Sequence, residues 1–260
     1  NSLLNAGDVV SVTATFSENV TRTGSPQFTL NVGGTSRTAT YGSGSGGTSL
    51  VFQYTIQAGE SDADGISIGA NALALNSGTI RDAAGNNATL THSAVSANAS
   101  YKVDTTAPTA VWSAATDNVG VVTGSLTSGD STNDTALGLS GTNESGSSVT
   151  VYNGTTLLEA ATVSGTDWSY TATVANGTTY QFNVKETDAA GNTSAATSNF
   201  AVTGDTTAPT VSSVSISSAS GVQNSLLNAG DVVSVTVTFS ENVTRTGSPQ
   251  FTLNVGGTNR

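Results

Sequence analysis

The pentapeptide Asp-Ala-Ala-Gly-Asn occurs twice, at Asp82–Asn86 and Asp188–Asn192. Each copy precedes an Asp-Thr-Thr-Ala-Pro segment, which begins at Asp104 and again at Asp205, 22 and 17 residues after its pentapeptide. These residue types offer carboxylate and amide oxygens. A hard cation such as Ca²⁺ takes about six to eight oxygens in a tolerant geometry. Each gap is long enough for one strand and its approach, so a strand returning to the same end of a sandwich would carry the loop to the linker that follows it. Further acids gather downstream, Asp117 in TDNVG and Asp130 and Asp134 in GDSTND. The expected metal ligands are therefore Asp82, Asp104 and Asp117 at the first joint. At the second they are Asp188 and Asp205, with Asp231 or Glu241 beside them. Asp and Asn also build Asx turns and ordinary hairpin connections; recurrence of the pair favours the cation.

A second acidic stretch, GESDADGIS, places Glu60, Asp62, Asp64 and Gly65 at the first, third, fifth and sixth positions of an EF-hand loop. The twelfth position is Asn71, where that loop needs a bidentate Glu, and no helical pattern flanks it. An EF-hand is excluded. A looser Ca²⁺ loop on Asp62 and Asp64 stands against a solvated turn. Catalytic groupings are scarce: the single histidine, His92 in TLTHSAV, reads as a surface residue, and nothing resembles a nucleophile elbow. Paired carboxylates that cleave glycosides need a cleft with aromatic platforms, whereas Trp112 and Trp168 are assigned to a core, Trp168 alternating with Tyr170. The chain is expected to be no enzyme, with no catalytic residue.

Composition narrows the partners. Of 260 residues, 36% are apolar and 10% charged, with 18 acids against 7 basic residues and a net charge of −11. Such a balance opposes nucleic acid, which needs a basic stripe to displace counterions, and anionic membrane surfaces. It permits divalent cations. There is no cysteine, so disulfides and thiolate metal sites are excluded. No apolar run is long enough to insert into a bilayer. The opening residues, NSLLNAGD, are not a signal peptide, and the chain reads as a piece of something longer.

The repeat sets the organisation. Residues 1–37 recur at 224–260, an offset of 223, with 35 of 37 positions identical. The exceptions are Ala14 against Val237 and Ser36 against Asn259. The two DTTAP segments divide this period into an X unit at 1–104 lacking its first strand, a Y unit at 105–205, and the N-terminal part of a second X at 206–260. Both unit lengths suit a β-sandwich.

Within the units, period-two alternation is the clearest signal. Val10, Val12, Ala14 and Phe16 share a face, as do Phe28, Leu30 and Val32, then Leu50, Phe52, Tyr54 and Ile56, and in Y Tyr180, Phe182 and Val184. Asn153-Gly154 and Asn176-Gly177 supply the positive φ of tight hairpins. Residues 41–49, YGSGSGGTS, read as a flexible loop, and ISIGANALALNSGTI leaves room for a helical turn. The fold class is all-β, tandem Ig-like β-sandwich domains in an extended array.

Across Y, DTTAPT, SGTNESGSSVTVYNG and TDWSYTATVANGTTYQFNVKETDAAGNTS resemble the bacterial Ig-like repeats of giant surface adhesins. X, with AGDVVSVTATFSENV, GSPQFTLNVGG and IRDAAGN, is similar to a companion repeat of the same proteins. The resemblance implies an extender stalk of a type I secreted protein at the bacterial cell surface, serving adhesion and biofilm formation. It also implies Ca²⁺ at inter-domain linkers, carried by the linker Asp and the DxxGN loop: Asp104, Asp205, Asp82 and Asp188. The nonapeptide of calcium-dependent RTX repeats is missing. The partners implied are neighbouring repeats of the same chain. Two other readings compete. A carbohydrate-binding or other ligand-binding module of a secreted protein predicts a planar patch of exposed aromatics. Ice binding through Thr rows predicts a solenoid period that is absent. Finally, SSVSISSAS at 212–220 matches the opening strand that the first X lacks. An open sheet edge invites strand addition, so head-to-tail strand-exchange self-association is expected.

Overall fold

The long alternating segments of X and Y become strands. The computed structural model describes residues 3–259; the outer bounds expected for the first and last domains, Asn1 and Arg260, lie outside them. The chain divides into two compact units, Asn1–Gly204 and Asp205–Arg260. The first holds two hydrophobic cores, one in X and one in Y.

In X, six strands form one sheet in the order Leu73–Ala74, Gln27–Val32, Thr35–Ser43, Gly47–Thr55, Val9–Thr23 and Thr79–Arg81. Leu3–Leu4, Lys102–Asp104 and Ser61–Asp62 form a second, small sheet. Phe28, Leu30, Leu50, Phe52, Ile56, Ile80 and Val103 fill the core, and Phe28 meets Phe52 edge-on at 5.1 Å. The long strand Val9–Thr23 breaks register between Thr15 and Val20. Its first half therefore pairs with Gly47–Thr55 and its end with Thr79–Arg81.

Y is a sandwich of two five-stranded sheets. One runs Gly124–Ser125, Val111–Asp117, Ala136–Thr142, Asp167–Thr173, Thr162–Ser164; the other runs Ser131–Thr132, Phe200–Gly204, Thr179–Thr187, Ser148–Asn153, Thr156–Ala160. Leu137, Leu139, Trp168 and Ala172 from the first meet Val149, Val151, Phe182, Val184 and Val202 from the second in one core. Trp168 is 2% exposed and its indole N–H donates to the Val111 carbonyl at 3.0 Å. Residue 141 must be glycine there, because a Cβ would lie 2.0 Å from that carbonyl and 2.5 Å from the indole nitrogen. Trp112 packs on Trp168 and stacks on Phe200, at 5.8 and 5.3 Å.

The second unit carries an antiparallel ladder of Val211–Ser220 with Val232–Phe239 and a short pair, Asn254–Val255 with Thr258–Asn259. X and Y are all-β sandwich architecture. Among the described residues the single helical element is a 3₁₀ turn, Ala99–Tyr101, and no helix is long and apolar enough to cross a membrane.

Local details depart from the sequence reading. ISIGANALALNSGTI holds no helical turn; Asn71, Asn76 and Ser77 adopt positive φ and bracket the strand Leu73–Ala74. Residues 41–49 are a hairpin tip, where the Ser45 amide donates to the Tyr41 hydroxyl at 3.0 Å and the Arg22 guanidinium lies 3.9 Å from the Tyr41 ring centre. Asn153 pairs with Thr156, so the first loop residue is Gly154, φ 60°. Asn176-Gly177 joins the two sheets of Y.

One polar clasp closes X. Glu60, 5% exposed, pairs with Arg37 and accepts from the Tyr54 hydroxyl and the Gln57 amide. Burial alone would raise the Glu60 pKa, but those donors outweigh it and hold it below the usual carboxylate value. The Tyr54 hydroxyl is pushed up from 10.0 to about 12, first by burial and then by Glu60. A raised pKa stabilises the fold fully below the unfolded value and loses that contribution as pH climbs through the folded one. X should therefore lose stability between pH 10 and about 12. In melting curves against pH, Tyr54→Phe should flatten this part of the profile; an unchanged slope would mean that another group titrates.

Candidate metal centre

Both pentapeptides fold into the same carboxylate-capped turn. The Asp188 Oδ1 accepts from the backbone N–H groups of Ala190, Gly191 and Asn192 at 2.8, 2.8 and 2.9 Å. The Asn192 side-chain amide donates to Asp188 Oδ2 at 2.9 Å, and the Asp188 N–H closes the turn on the Asn192 carbonyl at 3.0 Å. Gly191 sits at φ 98°, a region other residues avoid. At Asp82 the Asn86 backbone and side-chain amides donate at 2.8 and 2.7 Å. Together, the side chain first, they hold the Asp82 carboxyl below the usual range.

The Asp188 turn faces Asp104. The Asn192 Nδ2 lies 2.9 Å from the Asp104 carbonyl and 2.9 Å from Asp188 Oδ2, so one amide nitrogen ties the linker to the loop. From X, the Asn5 amide reaches the Ala190 carbonyl at 3.0 Å. The linker is also sewn to X. Lys102 and Val103 pair with Leu3 and Leu4, Asp104 pairs with Ser61, and the Thr105 hydroxyl donates to the Glu60 carbonyl at 2.8 Å. The Asp104 Oδ1 accepts from the Thr106 amide at 3.0 Å.

This joint pairs the loop with the linker that precedes its domain, where the sequence reading paired it with the linker that follows. The strand Phe200–Gly204 lies between the Asp188 loop and Asp205, and a single strand carries the chain to the opposite end of a sandwich. Asp82 accordingly shares a groove with Thr15, Phe16, Glu18 and Val20, whereas Asp104 lies beside Ser61. Asp117 sits at the far end of the strand that leaves the first joint. There it accepts from the Thr132 hydroxyl at 2.6 Å and the Val119 amide at 2.8 Å. The Asp134 N–H donates to that same Thr132 oxygen, and both carboxylates are buried. Asp130 caps Thr127.

Asp205 accepts from the Thr207 amide at 3.2 Å, as Asp104 does from Thr106, and Asp231 caps Asn228. One Glu241 oxygen is buried without a partner. Asp62 is 3% exposed and gives one oxygen to the Gly33 amide and the other to the Gly65 amide, each at 2.8 Å. Asp64 is exposed. The GESDADG stretch thus pins a hairpin. His92 is half-buried: its Nε2 accepts from the Ala72 amide at 2.8 Å, and the ring packs 5.4 Å from Phe28.

Glu186 was not among the expected ligands. It follows Phe182 and Val184 on the inward face of its strand and is 0% exposed. Its Oε1 accepts from the Glu144 amide and the Ser147 hydroxyl, each at 2.6 Å. Its Oε2 and the Oδ1 of buried Asn143, whose amide reaches Ser147 Oγ at 3.2 Å, have no partner. The sequence signal was the break in the Tyr180, Phe182, Val184 alternation, two residues before Asp188. Among the described residues no three acidic or histidine side chains gather around one point. The donor chemistry at this end of Y is nevertheless all oxygen, and it includes two buried oxygens lacking donors and an Asp188 Oδ2 carrying one N–H. That set fits a hard cation.

Residues 105–206 match the sequence model of the bacterial Ig-like domain. Y is similar to that domain. Solved structures include the fibronectin(III)-like modules of Clostridium thermocellum CbhA, at 12% identity and TM-score 0.34, covering 78% of this chain and 88% of that one. Another is Bacteroides ovatus SGBP-B, solved with a mixed-linkage heptasaccharide, at 16% identity and TM-score 0.23, covering 83% of this chain and 45% of that one. No curated protein matches the chain.

The cap makes a metal-free prediction. Asp188→Ala should cost Y about 1–3 kcal/mol by removing the acceptor of the part-buried Ala190 and Asn192 amides, while Asp188→Asn, which keeps an acceptor oxygen, should recover part of it. Denaturant unfolding in EDTA measures both. Equal stability of wild type and Asp188→Ala would show that the carboxylate does not organise the loop.

Proposed function

We propose that the chain is an extender segment of a bacterial cell-surface adhesin, exported to the outside of the cell, whose Ig-like domains are kept in line by Ca²⁺ at their linkers. The observation that carries this reading is the Asn192 amide nitrogen, 2.9 Å from both the Asp104 carbonyl and the Asp188 carboxylate. A joint with few contacts flexes by default, so side chains spent on tying linker to loop favour a part whose work is mechanical. The bacterial Ig-like match in Y and the near-identity of the two X sequences support a repeated, load-transmitting array.

In this reading Asp104 and Asp188 hold the ion at the first joint. Glu186 and Asn143 supply oxygens from the buried side, Asp205 repeats the part of Asp104, and Asp82 repeats that of Asp188. Asp117, joined to Asp134 through Thr132, offers a further carboxylate pair at the opposite end of Y. The ion contributes positive charge among carboxylates and oxygen–metal bonds between linker and loop. A glycan-binding module would instead present flat aromatics, and both tryptophans of Y pack into its core, which favours the stalk.

Calorimetric titration with CaCl₂ should give saturable heat. At free calcium about a hundred times Kd, linkage adds about 2.7 kcal/mol of stability. Asp104→Ala combined with Asp205→Ala should weaken both effects. No heat, together with melting that ignores calcium in the wild type, would overturn the calcium part of the reading.

A further inference from the structure

Y is short of positive charge. Between residues 105 and 205 it carries nine acidic side chains and one basic one, Lys185. Lys185 directly precedes Glu186 on its strand, so the two side chains leave from opposite faces of the sheet. The Lys185 ammonium lies 5.3 Å from the centre of the Tyr152 ring. Among the described residues the single ion pair is Arg37 with Glu60, in X. Glu186 is 0% exposed and has no basic partner. A buried carboxylate is costly unless it is paired or coordinates a metal.

Its hydrogen bonds do not make up the deficit. Ser147 Oγ lies 2.6 Å from Glu186 Oε1 and 2.8 Å from the Glu144 carbonyl, and it accepts from Asn143 Nδ2 at 3.2 Å. A hydroxyl has one hydrogen, so it serves one of those two acceptors and leaves the other short. The Glu144 amide is the remaining donor to Oε1. Glu186 Oε2 and Asn143 Oδ1 receive nothing. Both side chains border the same Ser147 oxygen, and Asn143 and Ser147 are 7% and 8% exposed. The pocket gathers carboxylate, amide and hydroxyl oxygens with fewer hydrogens than acceptors.

All three residues belong to Y. Glu186 lies in the strand Thr179–Thr187, and Asn143 and Ser147 in the turn between Ala136–Thr142 and Ser148–Asn153. Resting on the calcium reading above, we infer that the ion of the first joint is bound primarily by Y. Glu186 and Asn143 are its anchoring ligands, and Asp104 of the linker adds to a site that Y already provides. An all-oxygen donor set suits a hard divalent cation such as Ca²⁺. Loading is then a property of Y, and alignment of the joint follows it as a second event.

Both tryptophans of the chain pack in the Y core, so their fluorescence reports the melting of Y within the full chain. CaCl₂ should raise that melting temperature in the wild type, and its dependence on concentration gives an apparent Kd. Asp104→Ala should raise the Kd by about tenfold or less, the low end of what losing a supporting group costs a metal site. Glu186→Gln, which keeps the shape and removes the charge, should raise it by about a hundredfold or more. Hydrogen exchange in the Asp104→Ala chain gives a second readout that does not need the Glu186 variant to fold. There, calcium should slow exchange at the Glu144 and Ser147 amides. A calcium response abolished by Asp104→Ala but kept by Glu186→Gln would overturn the Y-centred site and leave a linker-held ion standing. Unchanged exchange at Glu144 and Ser147 has the same meaning. A wild type that ignores calcium overturns both readings.

Discussion

The organisation of the first joint depends on one carboxylate collecting backbone amides. With three N–H groups on Asp188 Oδ1, the loop after Thr179–Thr187 has a single shape, and that shape presents Asn192 to the linker. Without the cap, the Ala190 and Asn192 amides would need other acceptors, and Asn192 would lose the frame that aims it at Asp104. Charged hydrogen bonds of this kind are among the stronger ones available to a protein surface. The bonds that cross the joint, from Asn192 and Asn5, are ordinary by comparison and take their geometry from it.

On the proposed extender reading, the joint is also where the array has to be stiff. A sandwich domain is rigid through its core, and Y's is closed by Trp168 and its bond to Val111, at the end of the domain that meets the linker. Flexibility in such a chain is confined to the few residues between domains. In X the linker strand Lys102–Asp104 is still part of a sheet, so the unpaired stretch is short. The calcium reading adds a charge-dependent lock to a joint that side chains already align.

How legible this was depends on the range of the interaction. Alternation identified the core residues of X and Y, because the strand period is local and burial follows it. The DAAGN loops were legible as oxygen-rich turns. Their address was not, because the number of strand crossings before the next linker decides which end a loop occupies. Asp62 illustrates a further gap, since the spacing of acids in GESDADG resembles a metal loop while its two oxygens serve Gly33 and Gly65.

The chain has no cysteine, so Thr38→Cys in X and Thr171→Cys in Y, both at exposed positions, would place two spin labels across the first joint. Pulsed electron–electron resonance then reads the distribution of distances between the domains. A single narrow distribution in CaCl₂ that broadens in EGTA is the predicted result. A width that does not respond to the ion would contradict the account.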